Sequence, residues 1–489
     1  MSTTFATTAS IRFGYGRRPG ETPPDSIDDL IEQVERGTKE TCSFPFDGIS
    51  GRRNSFPALR KLSVASREAR ANGTMAMVGN RLVNPYFIAL TNAFRRDQHL
   101  KVRQAVTSRN GFFERLAAFW SDHFAVDARK GEALRVVAAL YEAEVLRPKL
   151  AGSFSDLLTA AILHPAMFTY LDQTRSVGPK SRFGIEKQRG LNENLARELI
   201  ELHTMGAGSG YTQDDVRSAA YVLTGVGLKT DNFEVVYRPA WAEPGPHRVL
   251  GRSYGGKRRR MEDVYSLLSD LAAREETRRH ICRKLVVHFI ADDPPGDVID
   301  AMVAAWVKSD GELIAVYRAM LEHPRSWEQE GQKARQPFDF VVAGLRALDV
   351  PLDALDARDA RERGDASVFG ARIEDGASML APDGRPGIRS NALTVGALDR
   401  LGQPVWSAPS PAGWEENVSA WITASQLTER IAWARRVIAR FGGAFDPMEF
   451  LKETMADAAR EDTIQTVSRA PNREVALAMV LASPEFNRR

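Results

Sequence analysis

The stretch from Leu191 to Gly225 reads LNENLARELIELHTMGAGSGYTQDDVRSAAYVLTG, and it limits the possible fold more than any other part of the chain. Leu191, Leu195, Leu199 and Leu202 recur at helical spacing, so they form one apolar stripe that must face a core. A helix is predicted over Asn192–Met205. It stops at the run Gly206-Ala207-Gly208-Ser209-Gly210, which suits a C-cap and a turn. Thr212, with Asp215 three residues on, makes a capping box for a second helix that carries Tyr221, Val222 and Leu223 and ends at Thr224-Gly225. These glycines lie between two helices. A dinucleotide cradle needs a strand before its glycines, so the stretch lacks that context.

The same helix carries a polar face of Asn194, Glu198 and Glu201, with Arg197 at its edge. Two carboxylates one turn apart repel mildly in water, and once buried they need a metal, a proton or a cation. Arg197 can pair with Glu193 or Glu201 at four residues' distance. One reading is a buried network of Asn, Arg and Glu between packed helices. The other is a metal or acid–base site. There Glu198 and Glu201 act as ligands or acid–base groups, His123 arrives from a facing helix, and Arg197 orients a carboxylate or binds an anionic substrate. A divalent metal ion would then draw on His123, Glu198, Glu201 and His203. The helix lacks a full Glu-x-x-His pair. On an ideal helix His203 lies roughly opposite Asn194, and it reaches the carboxylates only if the last turn is distorted.

Elsewhere, helical patterns are joined by proline. Apolar helices run into His164-Pro165, His323-Pro324 and Ser483-Pro484, where proline ends one helix and opens the next turn. His164 and His323 share their position with Ser483, which favours a structural role for both. Asn110–Phe124, NGFFERLAAFWSDHF, is apolar around most of its circumference and is a core helix, with Asp122 and His123 at its end. His280, Lys284 and His288 form a stripe that the lysine makes unsuitable for a metal; a satisfied or solvated face is the better reading. The polar loop Val177–Gly190 carries Lys180, Arg182, Lys187 and Arg189 and reads as a solvated connector, with a lid or anion-binding loop as the alternative. Gln403–Trp414, QPVWSAPSPAGW, can pack flat across a core through its rings or line a cleft.

The predicted fold is all-α: a large multi-helix globular structure with irregular loops and one small β-hairpin near 226–260, where Phe233–Arg238 has strand character. The expected organisation is an N-terminal extension with a short helix over 1–50, a main helical domain over 51–348, a surface insertion over 349–390 and C-terminal helices over 391–489 packed on the main domain. A net charge of +3 and the isolated basic run Lys257–Arg260 do not point to nucleic acid. No stretch reaches membrane-spanning length. Cys42 and Cys282 show no metal or redox spacing. Residues 1–26 hold no apolar run behind a basic segment; the glycine-rich Gly14–Glu21 lies there instead, so a cytoplasmic location is expected.

Several motifs together resemble the bacterial family catalogued as domain of unknown function 1800. They are FWSDHF at 119–124, HPAMFTYLD at 164–172, NENLARELIELHTMG at 192–206, GYTQDDVRSAAYVLTG at 210–225, RKLVVHF at 283–289, LGQPVWSAPSPAGW at 401–414 and SPEFNRR at 483–489. The resemblance covers most of the chain and picks out Trp120, His123, Asn192, Glu193, Asn194, Arg197, Glu198, Glu201, His203 and Thr204. It implies no established activity. It implies relatives that are often exported and often encoded beside a second family resembling sulfatases, which makes a sulfatase-like protein the expected partner. The chain departs from that pattern in showing no export signal. Pro246-His247-Arg248 also stands where a His-Asp pair is expected.

Two functional readings follow. The first is an uncharacterised helical scaffold or partner-binding protein, in which the polar face is architecture. The second is a metal-dependent hydrolase or oxidoreductase with a Glu/His site between helices.

Overall fold

The computed structural model describes residues 3–75, 77–78, 81–229, 231–256, 258–328, 333–359 and 387–489. The helices that position the site are α1 (Ile27–Lys39), α2 (Pro85–Thr107), α3 (Gly111–His123), α4 (Glu132–Tyr141), α5 (Asn194–Glu201), α6 (Gln213–Leu223), α7 (Glu275–Phe289) and α8 (Pro337–Ala347). Ala424–Phe441, Pro447–Met455, Glu461–Ser468 and Arg473–Ala482 close the chain. The fold is mostly helical, as its periodicity predicts. Strands occur as short antiparallel pairs, and the window 226–260 holds two rather than one. Val226–Leu228 pairs with Val235–Tyr237, and His247–Val249 pairs with Arg252–Tyr254.

One apolar cluster extends from Ala9 to Phe486. At its centre α3 buries Phe112, Phe113, Leu116, Phe119 and Trp120, as expected of a helix apolar on nearly every side. The Trp120 indole N–H finds the Tyr317 hydroxyl at 2.7 Å, which removes the polar cost of burying the ring. The first fifty residues hold more helix than the sequence suggests. Phe5–Thr8 runs into a wide π-type turn at Ala9–Phe13, and α1 starts at the Ser26 cap and continues to Lys39. Among the described residues, no helix is long and apolar enough to cross a membrane. Of the expected insertion over 349–390, residues 360–386 lie outside the described part.

The proline joints act as caps. His164 Nδ1 accepts the Ala166 N–H at 3.1 Å, with Pro165 as the first residue of the Pro165–Tyr170 helix. Ser483 Oγ does the same for the Phe486 N–H at 3.2 Å. Because the His164 Nδ1 lone pair is used, Nε2 carries the proton and donates to Glu144 at 2.7 Å. The basic run has a job as well. Arg259 is buried, and its guanidinium donates to the carbonyls of Tyr221, Val222 and Glu243, which satisfies the C-terminal end of α6.

Candidate functional site

The central motif divides into two unlike parts. Its helix is shorter than predicted. Asn192 forms a side-chain turn, accepting the Asn194 N–H at 2.9 Å, so α5 begins only at Asn194. At the other end the coil widens. His203 N–H reaches Glu198 O and Met205 N–H reaches Ile200 O, both five residues back and both at 2.9 Å. This last turn is distorted, and the distortion sends His203 inward rather than toward the carboxylates. Gly206 completes the stop with φ +89; a Cβ there would also meet His280 Nδ1 at 2.7 Å.

His203 and His123 clasp each other's backbones. His203 Nδ1–H donates to His123 O at 3.0 Å, and His123 Nε2–H donates to His203 O at 3.3 Å. His280, from α7, donates Nε2–H to Leu202 O at 3.1 Å. Three imidazoles thus tie the ends of α3 and α5 to α7 through carbonyls that helix termini leave without partners. Burial, then the positive charge of Lys284, drives these rings toward the neutral form. His203 falls to about 3 and His280 to about 4.

Glu198 and Glu201 stay apart from this clasp. Both are half-buried. Burial and then the neighbouring Glu201 raise the Glu198 pKa. Arg197 pairs with Glu193 at 3.4 Å and donates to Gln213 at 2.9 Å; Gln213 and Arg217 also donate to Glu193. So Glu193, not Glu201, is the hub of the arginine network. His123 and His203 come together without the two glutamates. Among the described residues, no group of three or more His, Cys, Asp or Glu is placed to hold a metal ion.

A different centre lies one residue before His123. A cavity of about 80 Å³ sits between α2, α3, α4, α8 and the Gln403–Trp414 segment, which crosses over it as a strap. By volume it holds about five water molecules or a small ligand. Asp122, Glu142, Asp339, Lys101 and His288 all face it, with Trp406 and Trp414 in its roof. Glu142 starts a π-type turn, Glu142–Leu146, that continues α4. The turn places its carboxylate under the strap, where Oε2 accepts from Lys101 at 2.5 Å, Ser121 at 3.0 Å and the Trp406 indole at 2.7 Å. Lys101 also stands over the Trp406 ring, 5.0 Å from its centre. Trp406 itself adopts φ +51, a strained conformation for a bulky side chain.

His288 is part of a charged ring behind the cavity. An arginine can only donate, so the Arg115 guanidinium at 3.2 Å makes His288 Nε2 an acceptor, and Nδ1–H donates to Glu416 at 2.5 Å. Glu416 also faces Lys333 at 3.3 Å and Arg489 at 3.7 Å. Arg489 and Arg115 both pair with Asp339, which closes the ring. Burial pushes the Glu416 pKa up, but His288 and Lys333 outweigh it and hold it at about 2. Of the stripe His280, Lys284 and His288, the two histidines are thus both hydrogen-bonded, His280 to Leu202 O and His288 to Arg115 and Glu416.

Asp122 is the exception in this cavity. Its carboxylate accepts the Trp414 N–H at 2.9 and 3.1 Å, and among the described residues no cation lies within ion-pair distance. Burial is the main force on it. Lys284 pulls its pKa down and Glu416 pushes it up, and the balance places it at about 7. Gly413 makes the contact possible. Its φ is +89, and a Cβ there would lie 2.5 Å from Asp122 Oδ2.

Asp122, Glu142, Lys101 and Glu416 are absent from the sequence-derived site. A signal did exist: FWSDHF and LGQPVWSAPSPAGW are two separate motifs of the same resemblance, and Asp122 and Trp414 join them across 292 positions. The model of one protein family, described as "Protein of unknown function (DUF1800)", matches residues 9–488. The chain belongs to that family. No curated protein and no solved structure matches it.

Proposed function

We propose that the cavity under the strap is the working centre of this protein. In this reading it binds a small polar molecule, or the tip of a larger one, and Asp122 exchanges a proton with it. The observation that carries the reading is a carboxylate lining a cavity with a backbone N–H as its hydrogen-bond partner and no cation in contact, beside a second carboxylate, Glu142, that is held by three donors. Two acids in one site with such different surroundings divide the labour: Glu142 stays committed to Lys101, Ser121 and Trp406, and Asp122 is free to gain and lose a proton near neutrality. The two indoles offer flat apolar walls, which suits a ligand with one polar end directed at Asp122.

The clasp of His123, His203 and His280 is architecture in this reading, and Arg197 belongs with Glu193, Gln213 and Arg217 to a network between α5 and α6. A docking role for the strap is less favoured because Trp406 turns inward to Glu142. A location in the cytoplasm is supported by Cys42 and Cys282, which are both unpaired.

The test is a screen of small amines, polyols and amides followed by tryptophan fluorescence at pH 5, 7 and 8.5, on the parent and on Asp122→Asn. A ligand whose affinity changes with a midpoint near 7 in the parent, and is flat with pH in the variant, supports the proposal. Ligands that bind both proteins alike at every pH sink it.

A further inference from the structure

The glycine-rich segment Gly14–Glu21 takes no part in the strap cavity, yet its shape is tightly specified. Gly16 and Gly20 have φ +78 and +73, and a Cβ on Gly14 would lie 2.9 Å from Ser10 O. Gly111, at the start of α3, packs so close that its Cβ would lie 3.3 Å from Gly14 Cα. Pro19, Pro23 and Pro24 stiffen the same loop. A loop built in this way is preorganised, and it encloses something: a second cavity of about 350 Å³ against α1, α3 and α8.

Five arginines line that cavity: Arg17, Arg18, Arg36, Arg109 and Arg346. Glu21 and Asp29 are the acids in its lining. Three of the arginines are already engaged. Arg18 pairs with Asp349 at 2.7 Å, and Arg36 with Glu32 at 3.0 Å. Arg346 pairs with Glu21 and donates to the carbonyls of Val106 and Ser108, both at 2.9 Å. Its buried Nε has no acceptor among the described residues. Arg17 and Arg109 have no ion-pair or hydrogen-bond partner among the described residues, and both line the cavity. Arg17 is half-buried and Arg109 stands exposed. Two uncommitted guanidiniums at one cavity, beside a rigid glycine loop, are suited to an oxyanion with several acceptors, because each fork can bind two oxygens at once.

We propose that this cavity binds the phosphate group of a small phosphorylated molecule, with Arg17 and Arg109 as the recognition residues. The volume accommodates a phosphate and a compact organic group. Asp29 stands at the opening of α1, where it accepts the Asp25 N–H at 3.1 Å, and it would exclude ligands with larger negative charge.

Inorganic phosphate is the probe, titrated by calorimetry into the full chain at low ionic strength, with sodium chloride at matched ionic strength as the control. Saturable binding is expected, weakened at least tenfold in an Arg17→Ala, Arg109→Ala double variant and unchanged in Asp122→Asn. Neither arginine holds a partner among the described residues, so the double variant should keep the parent's unfolding midpoint, which is measured alongside. No heat above the chloride control overturns the proposal, and so does equal binding by a folded double variant.

Discussion

Asp122 and His123 are neighbours at the end of one helix, and the protein treats them in opposite ways. His123 lies in the clasp with His203, where each ring donates to the other's backbone carbonyl. Asp122 faces a cavity and holds a backbone N–H of the strap. Burial discourages charge on both side chains. For the histidine the carbonyl it donates to favours the charged ring, but burial and the positive charge of Lys284 outweigh that contact, and the neutral ring still keeps the N–H that the clasp uses. For the aspartate the charged form is the better acceptor for the Trp414 N–H, while burial favours the proton, so the two oppose each other and the group is poised near neutral pH. Burial and hydrogen bonding oppose each other in both residues; the difference is that Lys284 adds to burial at the histidine and works against it at the aspartate.

The comparison is broken most severely at the clasp. His203→Ala should remove a ring from a fully buried site and leave the His123 carbonyl without its donor. We expect a loss of about 3 kcal/mol in urea-induced unfolding. A loss below about 1 kcal/mol would mean that the clasp is not structural. Gly413→Ala comes next. A left-handed backbone and a Cβ directed at the Asp122 carboxylate should together cost about 2 kcal/mol and displace the strap, read as a red-shifted Trp emission. An alanine that leaves both stability and emission unchanged would show that the strap is not held by Asp122.

Asp122→Asn sharpens the contrast through pH. The folded-state pKa of Asp122 is raised above its unfolded value, so its favourable contribution is complete below the unfolded value near 4 and is lost as pH rises through about 7. The parent should therefore lose stability relative to the variant as pH rises from about 4 to about 8. Parallel stability curves for the two proteins would refute the raised pKa. The smallest effect belongs to the Glu198→Ala, Glu201→Ala pair. Both residues are half-buried and repel each other, so we expect a change within about 0.5 kcal/mol and the same metal content by elemental analysis before and after. Stoichiometric metal in the parent that disappears in this variant would reinstate the central helix as a metal centre.

Much of the local structure can be read from the amino acids because its causes are local. The Thr212–Asp215 capping box is formed as the spacing predicts, with Thr212 accepting the Asp215 N–H and Asp215 accepting the Thr212 N–H. The proline joints fall where proline must break a helix. The short α5 shows the limit of such reading. The leucine stripe predicts fourteen residues of helix from Asn192 to Met205, but the Asn192 side-chain turn and the wide last turn reduce it to Asn194–Glu201. Both departures depend on partners outside the stretch. Asn192 is held by Asp172 and Ser176, and His203 is held by His123.

The composition and periodicity of the chain were enough to establish a mostly helical protein, its caps and breaks, and the polar residues set into apolar helices. They could not say which of those residues meet. Glu198 and His123 look like partners on paper because both are polar residues on core helices, yet a widened turn directs His203 to His123 and leaves Glu198 and Glu201 outside the clasp. Asp122 gained its importance only when a strap nearly three hundred residues away folded over it, with Gly413 able to approach where any Cβ would collide. Helix signals arise from neighbours along the chain, and hydrogen bonds of a few residues' reach can encode them. A pKa near 7 arises mainly from burial, and that depends on packing between elements which the chain order keeps far apart.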